Sequence, residues 1–333
     1  MTVPLSVLEL SPVAKAAGAA GGAEALRHTT ELARRTEEFG YRRFWVAEHH
    51  NMPGIASSSP AVLLAHLAAH TSTISLGSGG VMLPNHAPLV IAEQFGMLAA
   101  LHPGRIDLGI GRAPGADQRT AMALRRTVEG LSAEDFPQEL AEVIGMLDGD
   151  PARLMAVPQA ETPPQIWLLG SSGYSAQLAG HLGLPFSFAH HFSSRNTEPA
   201  LALYRESFQP SRWLSAPHAM VAVNAVAADT DEHAAYLAKP GLLSFLRLRS
   251  GRPQAMDSPA VAAEYEFDAF EEDFAAERRV GQALGSPDTV RRQLGELLER
   301  TRADELMITS QVYDIEDRVR SYELIAKIAA DGF

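Results

Sequence analysis

The chain has 333 residues, 46% of them hydrophobic and 20% charged, with a formal net charge of −12 and no cysteine. That composition is ordinary for a globular fold with a large core. The acidity excludes nucleic acid and anionic membrane surfaces as main partners, since both are held through basic patches. The lack of cysteine excludes disulfides, thiolate catalysis and zinc–thiolate or iron–sulfur centres.

Short apolar runs read as buried parallel strands and 3.6-residue periodicity reads as helices. In chain order, strand Leu5–Leu10 is followed by an Ala/Gly loop, Ala16–Ala25, leading into helix Ala23–Phe39. Then come strand Arg43–Ala47, helix Pro60–His70, strand Ile74–Leu83, helix Pro88–Leu101, strand Ile106–Gly111 and helices Asp117–Thr127 and Asp135–Leu147. A Pro-rich connection, Gly149–Thr162, precedes strand Gln165–Gly170, helix Ser175–Leu182, strand Pro185–His190 and helix Pro199–Phe208. Strand Ala219–Ala227 and helix Thr230–Leu237 lead to a long excursion, Lys239–Leu284, expected to form a lid over the mouth of the fold. Helix Asp288–Arg300, strand Glu305–Gln311 and helix Ile315–Ala330 finish the chain. About eight strand–helix units predict a single (β/α)8 TIM barrel with insertions, residues 1–333. A doubly wound open sheet is the alternative. No apolar run reaches the ~18 residues of a membrane span. No basic-then-apolar leader precedes the first strand, so a cytoplasmic location is expected.

In a parallel barrel the working residues stand at the carboxyl ends of the strands, and four polar clusters fall there. Leu168-Leu169-Gly170-Ser171-Ser172-Gly173-Tyr174-Ser175-Ala176 reads as strand, hydroxyl-rich turn and first helical turn, a seat for a phosphate. Arg112, flanked by glycines after the strand Ile106–Gly111, is placed for bidentate phosphate binding alongside Ser172 and Ser175. Gly77-Ser78-Gly79-Gly80 weakens its strand and marks a bulge or a close approach of backbone or flat ligand, with Asn85 and His86 following at the mouth. Glu48-His49-His50-Asn51 ends the second strand, and charged groups there should open onto a cavity. No metal site is expected: neighbours on a strand point to opposite faces, so neither His49-His50 nor His190-His191 can share an ion. Gly109-Ile110-Gly111 lacks the full dinucleotide spacing.

Together Leu8–Val13, Phe44–Met52, Gly77–His86, Glu93-Gln94-Phe95, Pro103–Gly115 and the 168–179 string resemble the bacterial luciferase-like flavin monooxygenase superfamily. The resemblance covers nearly the whole chain and is nearest to the single-chain YhbW-type members. It implies a (β/α)8 barrel that binds FMN, or in one branch F420, at the carboxyl ends of its strands. On that resemblance Arg112, Leu169, Ser171, Ser172, Gly173, Tyr174 and Ser175 bind the cofactor, and Gly79-Gly80 takes the place of the family's non-prolyl cis peptide under the flavin ring. His49, with Glu48, is the implied catalytic pair, His49 serving as general acid/base because an unperturbed imidazole titrates near working pH. His50, Asn85, His86 and His190 are expected to line the substrate pocket or orient His49.

The implied activity is a two-component monooxygenase. Reduced FMN comes from a separate NAD(P)H:flavin reductase, and one oxygen atom of O2 enters a small organic substrate through a flavin C4a-(hydro)peroxide. The alternatives are F420-dependent hydride transfer and a non-catalytic flavin-binding protein. A homodimer through helices beside the early strands is implied, and the apolar positions Val62, Leu63, Leu67, Leu89, Val90 and Phe95 are compatible with it. The chain also departs from luciferase. Gly111 stands where luciferase has a reactive cysteine, and Lys239–Leu284 is unrelated to its mobile loop, so light emission, long-chain aldehyde and a heterodimer do not carry over.

Overall fold

The computed structural model describes residues 2–15, 21–113, 117–125, 134–149 and 154–333. In chain order the elements are β1 (Leu5–Glu9), α1 (Gly21–Glu38), β2 (Arg43–Val46), α2 (Pro60–Ala68), β3 (Ser75–Ser78), β4 (Val81–Met82), α3 (Pro88–Leu101), β5 (Ile106–Gly111), α4 (Gln118–Arg125) and α5 (Phe136–Asp148). They continue with β6 (Gln165–Gly170), α6 (Gly173–Leu182), β7 (Phe186–Phe188), α7 (Thr197–Ser207), β8 (Ala219–Ala227), α8 (Asp231–Arg249), α9 (Pro259–Ala263) and α10 (Ala269–Val280). β9 (Gln282–Gly285), α11 (Pro287–Thr301), β10 (Glu305–Thr309) and α12 (Ile315–Asp331) complete the fold. Every strand pairing is parallel; β1 lies between β2 and β10, and β10 also pairs with β8, which closes the sheet. The closed eight-stranded parallel barrel with its helices is the expected TIM barrel, not the open sheet. β4 continues β3 beyond Gly79-Gly80, and β9 extends β8 at the rim. Residues 16–20, Pro114-Gly115 and the end of the expected fourth helix (126–127) lie outside the described residues.

The strand period of two sorts the side chains. In β2, Phe44 and Val46 face the helices and join the large core between barrel and helices. Arg43, Trp45 and Ala47 point inward. Three layers follow inside the barrel. At the amino end Arg43 donates from Nη1 to Asp107 Oδ2 at 2.7 Å and from Nε to Glu305 Oε1 at 3.1 Å, and Ser6 also hydrogen-bonds Glu305. Above them Trp45 donates to Asp107 at 2.9 Å and meets Trp167 edge-on at 5.3 Å, with Leu8, Met220 and Met307 packed around. Nearer the carboxyl end the inward positions shrink to Ala47, Gly79, Gly111 and Ala222, and the barrel opens.

Two stretches depart from their expected form. The helix expected to stop at Leu237 runs on through Pro240 to Arg249. A proline normally ends a helix, but Leu242, Leu243 and Leu246 continue the buried stripe beyond it, so tertiary packing outweighs the lost hydrogen bond. The rest of Lys239–Leu284 holds α9, α10 and most of β9, joined by irregular turns. Its middle is tied to the chain's beginning: Met256 exchanges backbone hydrogen bonds with Val13 and Lys15, both at 2.8 Å, and buried Asp257 pairs with Lys15 at 2.8 Å and Arg247 at 2.5 Å. Of the apolar positions on α2 and α3, Leu63, Leu67 and Phe95 pack inward, while Val62 and Val90 face solvent. No helix among the described residues is long and apolar enough to cross a membrane.

Removing Arg43 leaves buried Asp107 without its cation and Glu305 with the half-exposed Arg42, 3.8 Å away, as its remaining arginine. Arg43→Met is expected to lower stability by roughly 3–5 kcal/mol, seen as a lower urea midpoint at unchanged slope. The deficit should narrow below pH 5, where the freed carboxylates take up protons.

Candidate active site

The open end of the barrel holds a cavity of about 360 Å³. Its floor includes Gly79 and Gly80, joined by a cis peptide bond, and Gly111. A Cβ on Gly80 would stand 2.8 Å from the Gly109 carbonyl, and one on Gly109 would run into the Ser78 carbonyl. The glycines therefore let the backbones of β3–β4 and β5 approach, and leave a flat, side-chain-free surface on the cavity side.

One end of the cavity is an anion cradle. Arg112 leaves the end of β5, its guanidinium carbon 4.3 Å from the Tyr174 ring centre, and has no carboxylate partner among the described residues. Ser171, Ser172 and Ser175 line the same region with Leu169. Ser172 occupies the N-cap position of α6 without its side chain capping the helix, so its hydroxyl stays available. Gly170 is required there, since a Cβ would come 2.5 Å from Ser175 Cβ. Gly173 opens α6 and Tyr174 steadies Arg112; neither lines the cavity. A helix start, three hydroxyls and an unpaired arginine suit a phosphate.

The histidines divide by strand parity. His49 continues the inward series Trp45, Ala47 and lines the cavity, with Nδ1 buried and lacking a partner among the described residues. Glu48 faces the other way. Its Oε1 lies 2.8 Å from both His50 Nε2 and His86 Nε2 and accepts from Asn85 Nδ2 at 3.3 Å, while Oε2 accepts from the Met82 N–H at 3.1 Å. Burial pushes the Glu48 carboxyl up, but His86, His50 and the Met82 N–H outweigh it and hold it below the usual carboxylate range. The structure thus brings Glu48, His50, Asn85 and His86 together as a hub behind β4, outside the cavity lining, and not beside His49. Among the described residues, Glu48, His50 and His86 are also the one His/Cys/Asp/Glu group whose donor atoms lie within 4.8 Å of one another.

His190 does not line the cavity either. Its Nδ1 is 2.7 Å from Thr197 Oγ1, and it borders a separate groove with Gly281 and Arg300. Its neighbour His191 faces the cavity, following Ser187 and Ala189 on the inward parity of β7. Also unforeseen are Ser244, Phe245 and Leu248 of α8, Gln254 and Met256 beyond it, and Arg278 of α10. The alternation Ser187, Ala189, His191 was readable in the sequence. Nothing local marked the α8–α10 residues, whose place depends on how that segment folds back.

Burial holds the His49, His190 and His191 imidazoles at about 4 each. Burial thus disfavours the charged form of His49, where an unperturbed imidazole would titrate near neutral pH.

A (β/α)8 barrel with a phosphate cradle and a bare glycine floor at the carboxyl ends of its strands defines a flavin-type oxidoreductase site. The chain belongs to the luciferase-like monooxygenase family, whose profile matches residues 7–305. It is 49% identical to protein YvbT of Bacillus subtilis and 46% identical to a luciferase-like monooxygenase of Escherichia coli, in both cases over 97% of this chain and 96% of the relative. The crystal structure of apo-MsnO8 is 36% identical with a TM-score of 0.87, covering 99% of each chain. The fold alone is shared with the oxygenating constituent of 3,6-diketocamphane monooxygenase from Pseudomonas putida in complex with FMN (19% identity, TM-score 0.71, covering 99% and 98%). It is shared likewise with the F420-dependent tetrahydromethanopterin reductase of Methanopyrus kandleri (15%, TM-score 0.68, covering 100% of each). The protein is a flavin-dependent oxidoreductase of this family.

In the unfolded chain these histidines bind protons near pH 6.5, in the folded chain only near pH 4. Between those values the unfolded state holds more protons, so stability is expected to rise with pH, by up to roughly 1.4 kcal/mol per pH unit for each fully buried imidazole. Urea midpoints measured from pH 4 to 7 check the slope, and His190→Gln should flatten it.

Proposed function

We propose that the protein is the oxygenating component of a two-component FMN monooxygenase, using reduced FMN from a separate NAD(P)H:flavin reductase to insert one atom of O2 into a small organic substrate. The observation that carries this reading is Arg112, charged and without a carboxylate partner among the described residues, beside three serine hydroxyls at one end of a cavity floored by bare glycine backbone. FMN has one terminal phosphate and a flat ring, and the residues fit both. The guanidinium and the Ser171, Ser172 and Ser175 hydroxyls would hold the phosphate, and Gly79-Gly80 would take the ring. The long anionic tail of F420 asks for a basic groove, which an acidic chain of net charge −12 does not obviously provide.

When bound, reduced FMN supplies the electrons and the oxygen-activating chemistry. The chain's own part is to place, seal and move protons. Phe245, Leu248 and Met256 cover the cavity with apolar surface, and the Met256 and Asp257 ties to Val13 and Lys15 fasten that cover. Keeping water out prevents the unproductive loss of reactive oxygen species. His49, neutral and with Nδ1 unpartnered, accepts a proton at that nitrogen. The Glu48 hub grips the Met82 N–H and so braces β4 next to the glycine floor, a supporting role. The working unit is proposed to be a homodimer in the cytoplasm, with solvent-facing Val62 and Val90 on α2 and α3 as the contact.

Arg112→Ala is expected to weaken reduced-FMN binding roughly 10- to 100-fold, measured by anaerobic titration. His49→Ala should leave that affinity alone and lower oxygen transfer by roughly 10²–10⁴-fold. Binding of F420 but not FMN to the wild type would overturn the cofactor assignment.

A further inference from the structure

In a chain of net charge −12, no Asp or Glu is found among the described residues lining the cavity, yet two arginines are. Arg112 belongs to the anion cradle at the ends of β5 and β6. The other, Arg278, projects from α10 on a different stretch of the rim, beside the residues that follow β7. Its guanidinium carbon sits 3.6 Å from the centre of the Phe245 ring, and Nη1 donates to the His191 carbonyl at 3.2 Å. These two contacts orient the group at the cavity wall. Nε is buried with no hydrogen-bond partner, and no carboxylate pairs with the side chain among the described residues. Burial alone pulls this guanidinium down to about 10, so it stays charged at neutral pH.

A half-buried cation without a counter-charge lowers stability; one ring face and one carbonyl offset part of that cost, and an anionic ligand would supply the missing charge. A guanidinium on the cavity wall is a charged donor suited to a carboxylate. Around it the wall is apolar, with Phe192, Phe245, Leu248 and Met256. The Ser244 hydroxyl, buried and also unpartnered, adds a further polar contact on the same wall. The FMN phosphate already has its own cradle, so this second cationic point is left for the substrate.

We propose that Arg278 is the substrate anchor of this cavity, and that the substrate is a small carboxylate with an apolar body. Its carboxylate sits on the Arg278 guanidinium and its apolar part against Phe245, Leu248 and Met256. This rests on reading the cavity as the site of a flavin monooxygenase, and adds the chemical class of what is oxygenated there.

The test is calorimetric titration of the purified full-length protein, without flavin and then with FMN. The probes are straight-chain carboxylates from butanoate to octanoate, each against its own amide, with octanesulfonate as a non-planar anion. In the wild type at least one carboxylate should bind roughly tenfold or more tighter than its amide. Arg278→Met should erase that preference, Arg278→Lys should keep part of it, and FMN affinity should stay within about twofold in both. The urea midpoint of Arg278→Met should be unchanged or higher, because an unpaired buried charge has been removed; a lower midpoint would mark Arg278 as structural and overturn the proposal. So would carboxylates binding no tighter than amides across the series, tighter binding of octanesulfonate than octanoate, or a loss of FMN affinity in Arg278→Met matching that of Arg112→Ala. Failure of the wild type to bind FMN would sink the flavin reading instead, and the flavin-free comparison of carboxylate with amide would still stand on its own.

Discussion

The Arg43 guanidinium, held inside the barrel between Asp107 and Glu305, is the contact on which the rest of the structure depends. It joins β2, β5 and β10 from within, across the barrel. Burial works against its charge, and the two carboxylates more than offset that, so Arg43 stays protonated. With Trp45 and Trp167 packed edge-to-face above it, the amino end of the barrel is filled. Inward side chains then diminish toward the other end, to alanine and glycine, and the barrel opens into the cavity at the carboxyl ends of the strands.

That room is electrostatically unlike the rest of the chain. The protein is acidic, yet its described cavity wall carries two arginines and no carboxylate. Glu48, adjacent in sequence to His49, is turned out of the cavity and bound to His50 and His86. The cavity therefore carries positive charge at two separate points, while burial disfavours the charged form of its histidines. Charge placement and burial act together: removing water from His49 and His191 lowers their basicity, and removing carboxylates from the wall leaves Arg112 and Arg278 free for ligands.

Much of this could be read along the chain, and the misreadings have definite causes. The strings around Arg112 and Ser171–Ser175 are local, each one strand end and one turn, so the sequence carries their geometry almost complete. Glu48 and His190 were grouped with the wrong neighbours because adjacency along the chain was taken for adjacency in space. Strand alternation sends residue i and i+1 to opposite faces, which puts His49 and His191 on the cavity side and Glu48 and His190 on the other. α8 passed unrecognised beyond Leu237 because Pro240 is a strong local stop signal. What carries the helix through it is the burial of Leu242, Leu243 and Leu246, a property of the packed protein.

The sequence by itself determined the parallel barrel, since eight apolar runs separated by amphipathic segments have few other ways to bury both faces of every strand. It also determined that Arg112 and Ser171–Ser175 stand at strand ends with their turns, and where the glycine floor lies, since each needs only a strand end and its turn. Only the tertiary structure decided which histidine faces the cavity, how far burial moves it, and that Arg278 reaches the site from a segment far along the chain from Arg112. Those are consequences of closure and desolvation, which depend on residues distant in sequence being brought together. No local pattern records what will surround a side chain once the chain has folded back over it.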